Sequence, residues 1–305
     1  MMRVCPDCHK VVSALDAVEI GGKYYHRACR ICYKCGKLID DDFLHPKQEF
    51  DGHSYHFNCL HSAKTCCICG KETRRYVRDY WGNVACEEHG SVCQYCGSII
   101  RTGQSFKYTY VKDGERVILD RQICDKCAES IVKTQEQIEC CRSEIMSVFK
   151  AYGITGIPED IPIRLSDMKE ESERRGEGIW GLNCGRISSS RSRYSCEISI
   201  HENLPYLVFK GVLAHELLHS WIALYSINLP NNEEEGFCNL GKFLILKQEK
   251  SKEADYLIHW ALEENDDSIY GDGYRLMKKR LEKLGWKGLM DALLWENRAP
   301  EHIDL

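Results

Sequence analysis

Paired cysteines in the first 130 residues constrain the fold of this chain more than any other feature. Thirteen of the 19 cysteines, all before residue 130, belong to Cys-x-x-Cys, Cys-x-x-His or His-x-x-Cys units. The N-terminus has neither the apolar segment nor the cleavage site of a secretory signal, which argues against a disulfide framework. Pairs at this spacing in a reducing compartment are typical of zinc ligands. We therefore expect a cytoplasmic protein whose first part folds around zinc.

The ligand candidates form four sets of four, and each set suits one tetrahedral zinc. The predicted ligands are Cys5, Cys8, His26 and Cys29 for zinc 1; Cys32, Cys35, His56 and Cys59 for zinc 2; Cys66, Cys69, Cys86 and His89 for zinc 3; and Cys93, Cys96, Cys124 and Cys127 for zinc 4. His53 is a weaker alternative to His56. Because protein atoms occupy all four positions, these zincs are predicted to be structural and to supply much of the folding free energy.

The spacing of the first eight ligands resembles a LIM domain, so we expect residues 1–62 to form a LIM domain with two zincs. The second eight ligand candidates repeat this spacing less regularly. We expect residues 63–130 to form a LIM-like domain, also with two zincs. The 27 residues between Cys96 and Cys124 leave room for a hairpin around Lys112-Asp113-Gly114. The other cysteines have no partner at ligand spacing and are expected to be free thiols: Cys67, Cys140, Cys141, Cys184, Cys196 and Cys238.

A long helix is predicted to follow the zinc modules. Residues 128–152 lack glycine and proline and carry apolar side chains at helical spacing. We take residues 131–155 as a helix that connects the modules to a C-terminal domain of residues 156–305.

The C-terminal domain contains His-Glu-Leu-Leu-His at residues 215–219, inside an apolar stretch that should be helical. This spacing puts His215 and His219 on one helix face, where they can hold one zinc, and it puts Glu216 beside a metal-bound water as a general base. A third ligand is expected from Glu233-Glu234-Glu235-Gly236-Phe237. In one large class of zinc peptidases this ligand is a Glu followed by Gly and an aromatic residue, which favours Glu235, with Glu234 second.

Two further segments are candidates for roles around this zinc. Residues 196–200 alternate as a half-buried strand does. We expect either an edge strand that pairs with an extended substrate or a purely structural edge strand. The sequence Tyr270-Gly271-Asp272-Gly273-Tyr274-Arg275 is predicted to be a tight turn between two helical segments. Tyr270, Tyr274 and Arg275 are candidate donors to the tetrahedral oxyanion, although a simple helix-helix turn is the more favoured interpretation.

The order of these motifs resembles the LIM-domain zinc peptidases first known as plant regulators of organ size. The resemblance extends from Cys5 to about Leu294 and rests on both zinc modules, the connecting helix, residues 214–221, Glu234-Glu235-Gly236 and residues 270–275. It implies a ubiquitin-activated protease that cleaves growth-regulatory and ubiquitin-pathway proteins. The plant proteins carry ubiquitin-interacting helices before the LIM module, whereas this chain begins four residues before Cys5. We therefore expect a shorter, microbial or minimal relative, for which ubiquitin or a ubiquitin-like protein is a doubtful partner.

The predicted fold class is α+β: two tandem zinc-ribbon-like modules joined by a long helix to a mainly helical zincin-type domain with a small sheet. The predicted function is that of a zinc-dependent endopeptidase with one catalytic and four structural zincs, whose LIM modules bind protein substrates and partners. A net charge of −5 and the lack of a long apolar run argue against nucleic-acid and membrane partners. The alternatives are a LIM-type adaptor with an inactive peptidase-like platform and a latent enzyme.

Overall fold

The structure is a computed structural model that describes residues 3–40, 47–50, 52–60, 63–112, 115–168, 181–183, 186–187 and 194–296. The chain divides into two compact units. Unit 1 comprises residues 1–77 and 84–90, and unit 2 comprises residues 78–83 and 91–305. This division falls inside the range 63–130 that was predicted as one LIM-like domain, and the domain boundaries themselves stay a prediction.

Unit 1 consists of short strand pairs around cysteine-containing turns. The pairs are β1 (Ala17–Ile20) with β2 (Lys23–His26), β3 (Gln48–Phe50) with β4 (His53–Tyr55), β5 (Lys64–Thr65) with β6 (Glu72–Thr73), and β7 (Tyr76–Arg78) with β8 (Val84–Cys86). Single helical turns follow at Arg27–Arg30, α1 (Phe57–Leu60) and Glu87–His89. Its small core contains Cys5, Val12, Val18 and Tyr25, which is too little apolar area to fold such a unit without metal.

The first Cys-x-x-Cys turn of each cluster is closed by a residue with a left-handed backbone. Gly36, Gly70 and Gly97 have φ near +70° directly after the second cysteine, and His9 has φ 57° at the equivalent place in the first turn. Glycine adopts this conformation without a steric cost, which explains its recurrence there. His9 therefore lies near zinc ligands because of the turn geometry, as a residue outside the ligand pattern.

Unit 2 begins with a hairpin and two helices. Strands β9 (Gly103–Lys112) and β10 (Glu115–Cys124) pair antiparallel over their full length, with Lys112 opposite Glu115. The predicted hairpin is thereby confirmed, while Asp113 and Gly114 lie outside the described residues. Helix α2 (Asp125–Glu129) follows, and then α3 (Gln135–Ala151). The predicted connecting helix corresponds to α3 and starts later than residue 131, because Thr134 and Gln137 form a capping box there.

A small sheet precedes the apolar helices. Its strand order is β11 (Ile163–Ser166), β15 (Ile198–His201) and β12 (Gly181–Asn183), and a separate pair is formed by β13 (Arg186–Ile187) and β14 (Tyr194–Ser195). β15 pairs parallel with β11 and antiparallel with β12. The prediction of an edge strand at residues 196–200 was wrong, because both sides of this fully buried strand are already hydrogen-bonded.

Four helices build the rest of unit 2. They are α4 (Tyr206–Leu224), α5 (Asn231–Gln248), α6 (Lys252–Ile258), which continues into a π-helical turn at His259–Glu263, and α7 (Tyr270–Glu296). The described part of the chain thus has zinc-binding modules near the N-terminus and a largely helical C-terminal region with small sheets, as predicted.

Helix α4 is the core of unit 2. Its length and composition would also fit a membrane span, but 72% of the most apolar window is buried inside the molecule. Burial around most of its circumference is typical of a central helix in a globular protein.

The predicted turn at residues 270–275 is instead the first part of α7, so the non-helical segment between the two helices ends before Tyr270. Its glycines allow two helices to touch. A Cβ on Gly273 would lie 2.0 Å from the carbonyl oxygen of Asn232, and one on Gly236 would lie 2.2 Å from the carbonyl oxygen of Gly273. The start of α5 therefore packs against the start of α7 backbone to backbone, which fixes the helix segment that carries Glu234 and Glu235.

Candidate metal centre

The structure brings together the side chains of each predicted four-residue zinc set. The ligand atoms within a set lie within 4.8 Å of one another, and the sets are Cys5, Cys8, His26, Cys29; Cys32, Cys35, His56, Cys59; Cys66, Cys69, Cys86, His89; and Cys93, Cys96, Cys124, Cys127. These Cys/His clusters indicate structural zinc binding.

The histidines of the first two clusters share one arrangement. In each, Nδ1 faces the cysteine sulfurs, and Nε2 lies 3.1 Å from the Val11 carbonyl oxygen for His26 and 2.9 Å from the Leu38 carbonyl oxygen for His56. An Nε2–H donated to a carbonyl leaves Nδ1 as the metal ligand and fixes the ring orientation. His53 instead stacks on Tyr33 with ring centroids 3.9 Å apart.

A fifth group of acceptor atoms converges between α4 and α5. Nε2 of His215 and Nε2 of His219 are 3.2 Å apart. Oε2 of Glu235 lies 3.1 Å from the first nitrogen and 3.5 Å from the second. This oxygen is buried without a hydrogen-bond partner. Although burial raises the pKa of the Glu235 carboxyl, the two imidazoles lower it well below its ordinary range, so the group is ionised.

The outward nitrogens of both imidazoles face acceptors. Nδ1 of His215 lies 3.1 Å from Oδ1 of Asn239, and Nδ1 of His219 lies 3.0 Å from Oε1 of Glu234. The Asn239 amide is itself oriented, because its Nδ2 donates to the carbonyl oxygen of Tyr270 at 3.2 Å. These acceptors favour a proton on each Nδ1, and in the neutral imidazoles the lone pairs of both Nε2 atoms then point at the Glu235 oxygen. Three acceptor atoms that converge in this way can hold a metal cation between them.

Cys238 is the unexpected member of this region. It was predicted to be a free thiol, but its sulfur lies within 4.8 Å of ligand atoms of His215 and His219. Complete burial raises the pKa of this thiol to about 12. Oε2 of Glu235 lies within 3.5 Å of both Nε2 atoms and the carboxyl group is ionised, so Glu235 stays the preferred candidate for the third ligand.

Glu216 is buried on the next position of α4, beneath strand β12. A Cβ on Gly181 would lie 2.4 Å from Oε1 of Glu216, so only glycine lets the strand approach this carboxylate. Asn183 holds the strand in place, since its Nδ2 donates to the Glu216 carbonyl oxygen at 2.8 Å and to Oγ of Ser220 at 2.6 Å. Apart from the glycine itself, no sequence feature indicated this contact.

A cavity of about 750 Å³ opens beside the converging atoms. His215, Glu216 and Asn239 line it, together with Gly181 from β12 and Tyr270 from the start of α7. The cavity therefore gives access to the candidate base and to one of the candidate metal ligands.

The three predicted oxyanion donors occupy different environments in the structure. Tyr270 lines the cavity, whereas the fully buried Tyr274 packs beside Phe243 with ring centroids 6.1 Å apart. Arg275 donates to the carbonyl oxygens of Glu263 and Asn265 at 3.1 Å and 2.6 Å, and it secures the loop before α7. Tyr270 alone of the three is among the cavity-lining residues.

Sequence reasoning missed two polar residues that line the same cavity, Asn239 and Lys242. They lie four and seven residues after Glu235 on α5, within the otherwise apolar segment 237–246. Side chains at this spacing share one helix face, and this periodicity could have identified both residues.

The fourth zinc cluster belongs to the same unit as the cavity. Cys93 lines the cavity wall, and Cys93, Cys96 and Cys127 are part of the large hydrophobic core of unit 2. Helix α6 packs against this cluster: the Tyr256 ring lies against Gly97, and Lys126 pairs with Glu253.

Two family models match this chain. The LIM domain model matches residues 5–49, and the DA1-like model (Protein DA1) matches residues 168–258, which include α4 and α5. The chain therefore contains a segment that is similar to LIM domains and a second segment that is similar to Protein DA1.

Its homologues are DA1 and DA1-related LIM proteins of plants, at low identity. Protein DA1 of Arabidopsis thaliana is 19% identical over 98% of this chain and 68% of its own length. LIM domain-containing protein HDR3 of Oryza sativa subsp. japonica is 23% identical over 81% of this chain and 57% of its own length. Protein DA1-related 2 of Arabidopsis thaliana is 22% identical over 81% of this chain and 54% of its own length. The chain spans little more than half of the last two relatives.

Proposed function

We propose that this protein is a zinc-dependent endopeptidase of the zincin type. The observation that carries the proposal is the convergence of three metal-ligand atoms, from His215, His219 and Glu235, beside the carboxylate of Glu216 and an open cavity. The similarity to DA1 and DA1-related LIM proteins supports the proposal that the chain shares their fold and their kind of site.

The distances among the three atoms suit zinc. With metal–ligand distances of about 2.0–2.1 Å, the edge of a tetrahedron around zinc is about 3.3 Å. The three distances here are 3.1, 3.2 and 3.5 Å. A set of three protein ligands leaves the fourth position for water or substrate, which is the arrangement of a catalytic rather than a structural zinc.

A bound zinc would supply an acidified water and polarise the scissile carbonyl. Glu216 would take the proton from the attacking water and return it to the leaving amine. Asn239 and Glu234 would hold His215 and His219 in the tautomer that leaves each Nε2 free for the metal. Tyr270 is the residue best placed to donate to the oxyanion.

The proposal extends to the binding partners of the LIM modules and to the cellular location of the protein. We infer that the LIM modules recognise protein partners or substrates and that the protein works in the cytoplasm, where thiolates stay reduced and bind zinc. Regulation by ubiquitin or a ubiquitin-like protein is a weaker proposal, supported by the family resemblance alone.

The test uses three neighbouring glutamates of α5 as one matched series. Zinc per chain is measured by elemental analysis on wild type and on the variants Glu233→Gln, Glu234→Gln and Glu235→Gln. We expect five zincs in wild type and in Glu233→Gln, whose native side chain pairs with Arg280 at 3.0 Å. Glu235→Gln should fall to four, and Glu234→Gln should keep five with a roughly 10- to 100-fold weaker fifth site.

Turnover is measured beside the metal content with an unfolded protein as substrate. Glu216→Gln should keep five zincs and lose cleavage. Five zincs in Glu235→Gln would reject the ligand assignment, and cleavage by a pure, metal-replete Glu216→Gln would reject the mechanism. A wild type that holds five zincs but does not cleave, even with partner proteins present, would favour the adaptor.

A further inference from the structure

Lys242 is a lysine that faces the candidate active-site cavity from α5. Its methylene groups pack against the backbone of Gly211 on α4, where a Cβ would lie 3.1 Å from Cγ of Lys242. This contact directs the side chain along the wall that also carries Asn239, one turn earlier on the same helix.

The ammonium group of Lys242 has no protein partner among the described residues: none accepts a hydrogen bond from it or forms an ion pair with it. Glu264 and Asp266 line the same cavity without pairing with it. The surrounding protein lowers the pKa of Lys242 to about 8, with loss of solvation as the cause. Lys210 on α4 differs, since it is buried and is paired with Glu144 and Glu249. A lysine that faces a cavity and has no acid paired with it among the described residues points to a ligand that supplies the negative charge.

The position along α5 sets the distance from the reaction centre. Lys242 follows Glu235 by seven residues, which is about 10 Å along a helix axis. An extended peptide advances about 3.3–3.6 Å per residue, so about three residues of substrate span this distance.

We infer that Lys242 binds the side-chain carboxylate of an aspartate or glutamate in the substrate, within about three residues of the scissile bond. Lys242 thereby makes the enzyme prefer acidic sequences. This inference rests on the proposed peptidase function and defines its substrate class.

The first test measures cleavage. Peptides that differ only in Glu, Gln or Lys at each of the three positions on either side of the cleaved bond are compared in wild type, Lys242→Met and Lys242→Glu. We expect at least a tenfold higher kcat/KM for one Glu position over Gln in wild type, no preference in Lys242→Met, and a preference for Lys in Lys242→Glu. Lys247→Met, an exposed lysine on the same helix, is the control and should behave as wild type.

A free C-terminal carboxylate could occupy the same place, so each peptide is made with free and amidated ends. A preference that follows the free end rather than the Glu side chain would overturn the inference. Equal preference for Glu in wild type and Lys242→Met would also overturn it.

Binding separates this inference from the proposed function. Fluorescence anisotropy measures the labelled Glu and Gln peptides on zinc-loaded Glu216→Gln, with and without the Lys242→Met change. Tighter binding of the Glu peptide that requires Lys242 supports the inference even if the wild type shows no turnover, in which case only the peptidase proposal fails. Turnover without any Lys242-dependent preference rejects the Lys242 role and leaves the peptidase proposal intact.

Discussion

Replacing Lys242 with methionine should stabilise the protein. The pKa of this lysine falls from its ordinary value of 10.5 to about 8, which corresponds to a cost of roughly 3 kcal/mol for keeping the charged form in the folded state at neutral pH. The side chain is partly exposed to the cavity, so we expect a smaller gain of about 2 kcal/mol in the free energy of unfolding of Lys242→Met at pH 7. Methionine has a similar length and keeps the packing against Gly211.

The gain should depend on pH in one direction. Between pH 8 and 10.5 the unfolded chain still holds the lysine proton that the folded chain has released, so the stability of wild type rises with pH in this window. Lys242→Met lacks this contribution. The difference between the two proteins should therefore be largest below pH 8 and vanish near pH 10.5.

The assay is urea unfolding of zinc-loaded wild type, Lys242→Met and Lys247→Met at pH 7 and pH 10, followed by tryptophan fluorescence. The exposed Lys247 should show no difference from wild type at either pH. A Lys242→Met protein that is less stable than wild type at pH 7 would refute the reasoning, because it would mean that the ammonium is already compensated in the folded protein.

Two further predictions concern the packing of unit 2. Gly273→Ala should lower the free energy of unfolding by about 2 kcal/mol and weaken the fifth zinc site, since a Cβ 2.0 Å from the Asn232 carbonyl oxygen forces α7 away from α5; urea unfolding and zinc competition measure both, and wild-type values in both would contradict the close approach. Lys210→Met should cost about 1 kcal/mol at pH 7 because it removes the partner of Glu144 and Glu249. Hydrogen bonding to Lys210 lowers the pKa of Glu144, so this contribution is present above pH 4.5 and is lost as the pH falls through the lowered value. A cost that does not begin to decrease as the pH is lowered below 4.5 would refute the assignment.

The sequence predicted local chemistry better than tertiary placement. Ligand spacing identified all four structural clusters, because Cys-x-x-Cys turns and helix periodicity are local properties. The HExxH spacing likewise placed His215 and His219 on one helix face. The roles of Asn239 and Lys242 depend on which helix lies opposite them, and this information is absent from local periodicity.

Glycine patterns were the least reliable guide. Gly271 and Gly273 were interpreted as turn residues, yet both are helical and permit close backbone contacts with other segments. A single sequence does not distinguish a glycine required by its own φ from one required by a neighbour. The strand at residues 196–200 was misplaced for a similar reason, since β12, the partner that covers it, is only three residues long.

The fourth zinc cluster has a consequence for how such proteins can be rearranged by recombination. Cys93, Cys96 and Cys127 share one core with Leu217 and Phe237 of the two helices that carry the candidate metal ligands. A gene segment that encodes all four zinc clusters could not be exchanged as one unit. Its removal would delete Val92, Cys93 and Gln94, which line the cavity. The segment that contains the fourth cluster must therefore be inherited together with α4 and α5. Its ligand spacing alone would suggest instead that it is the last repeat of a tandem array.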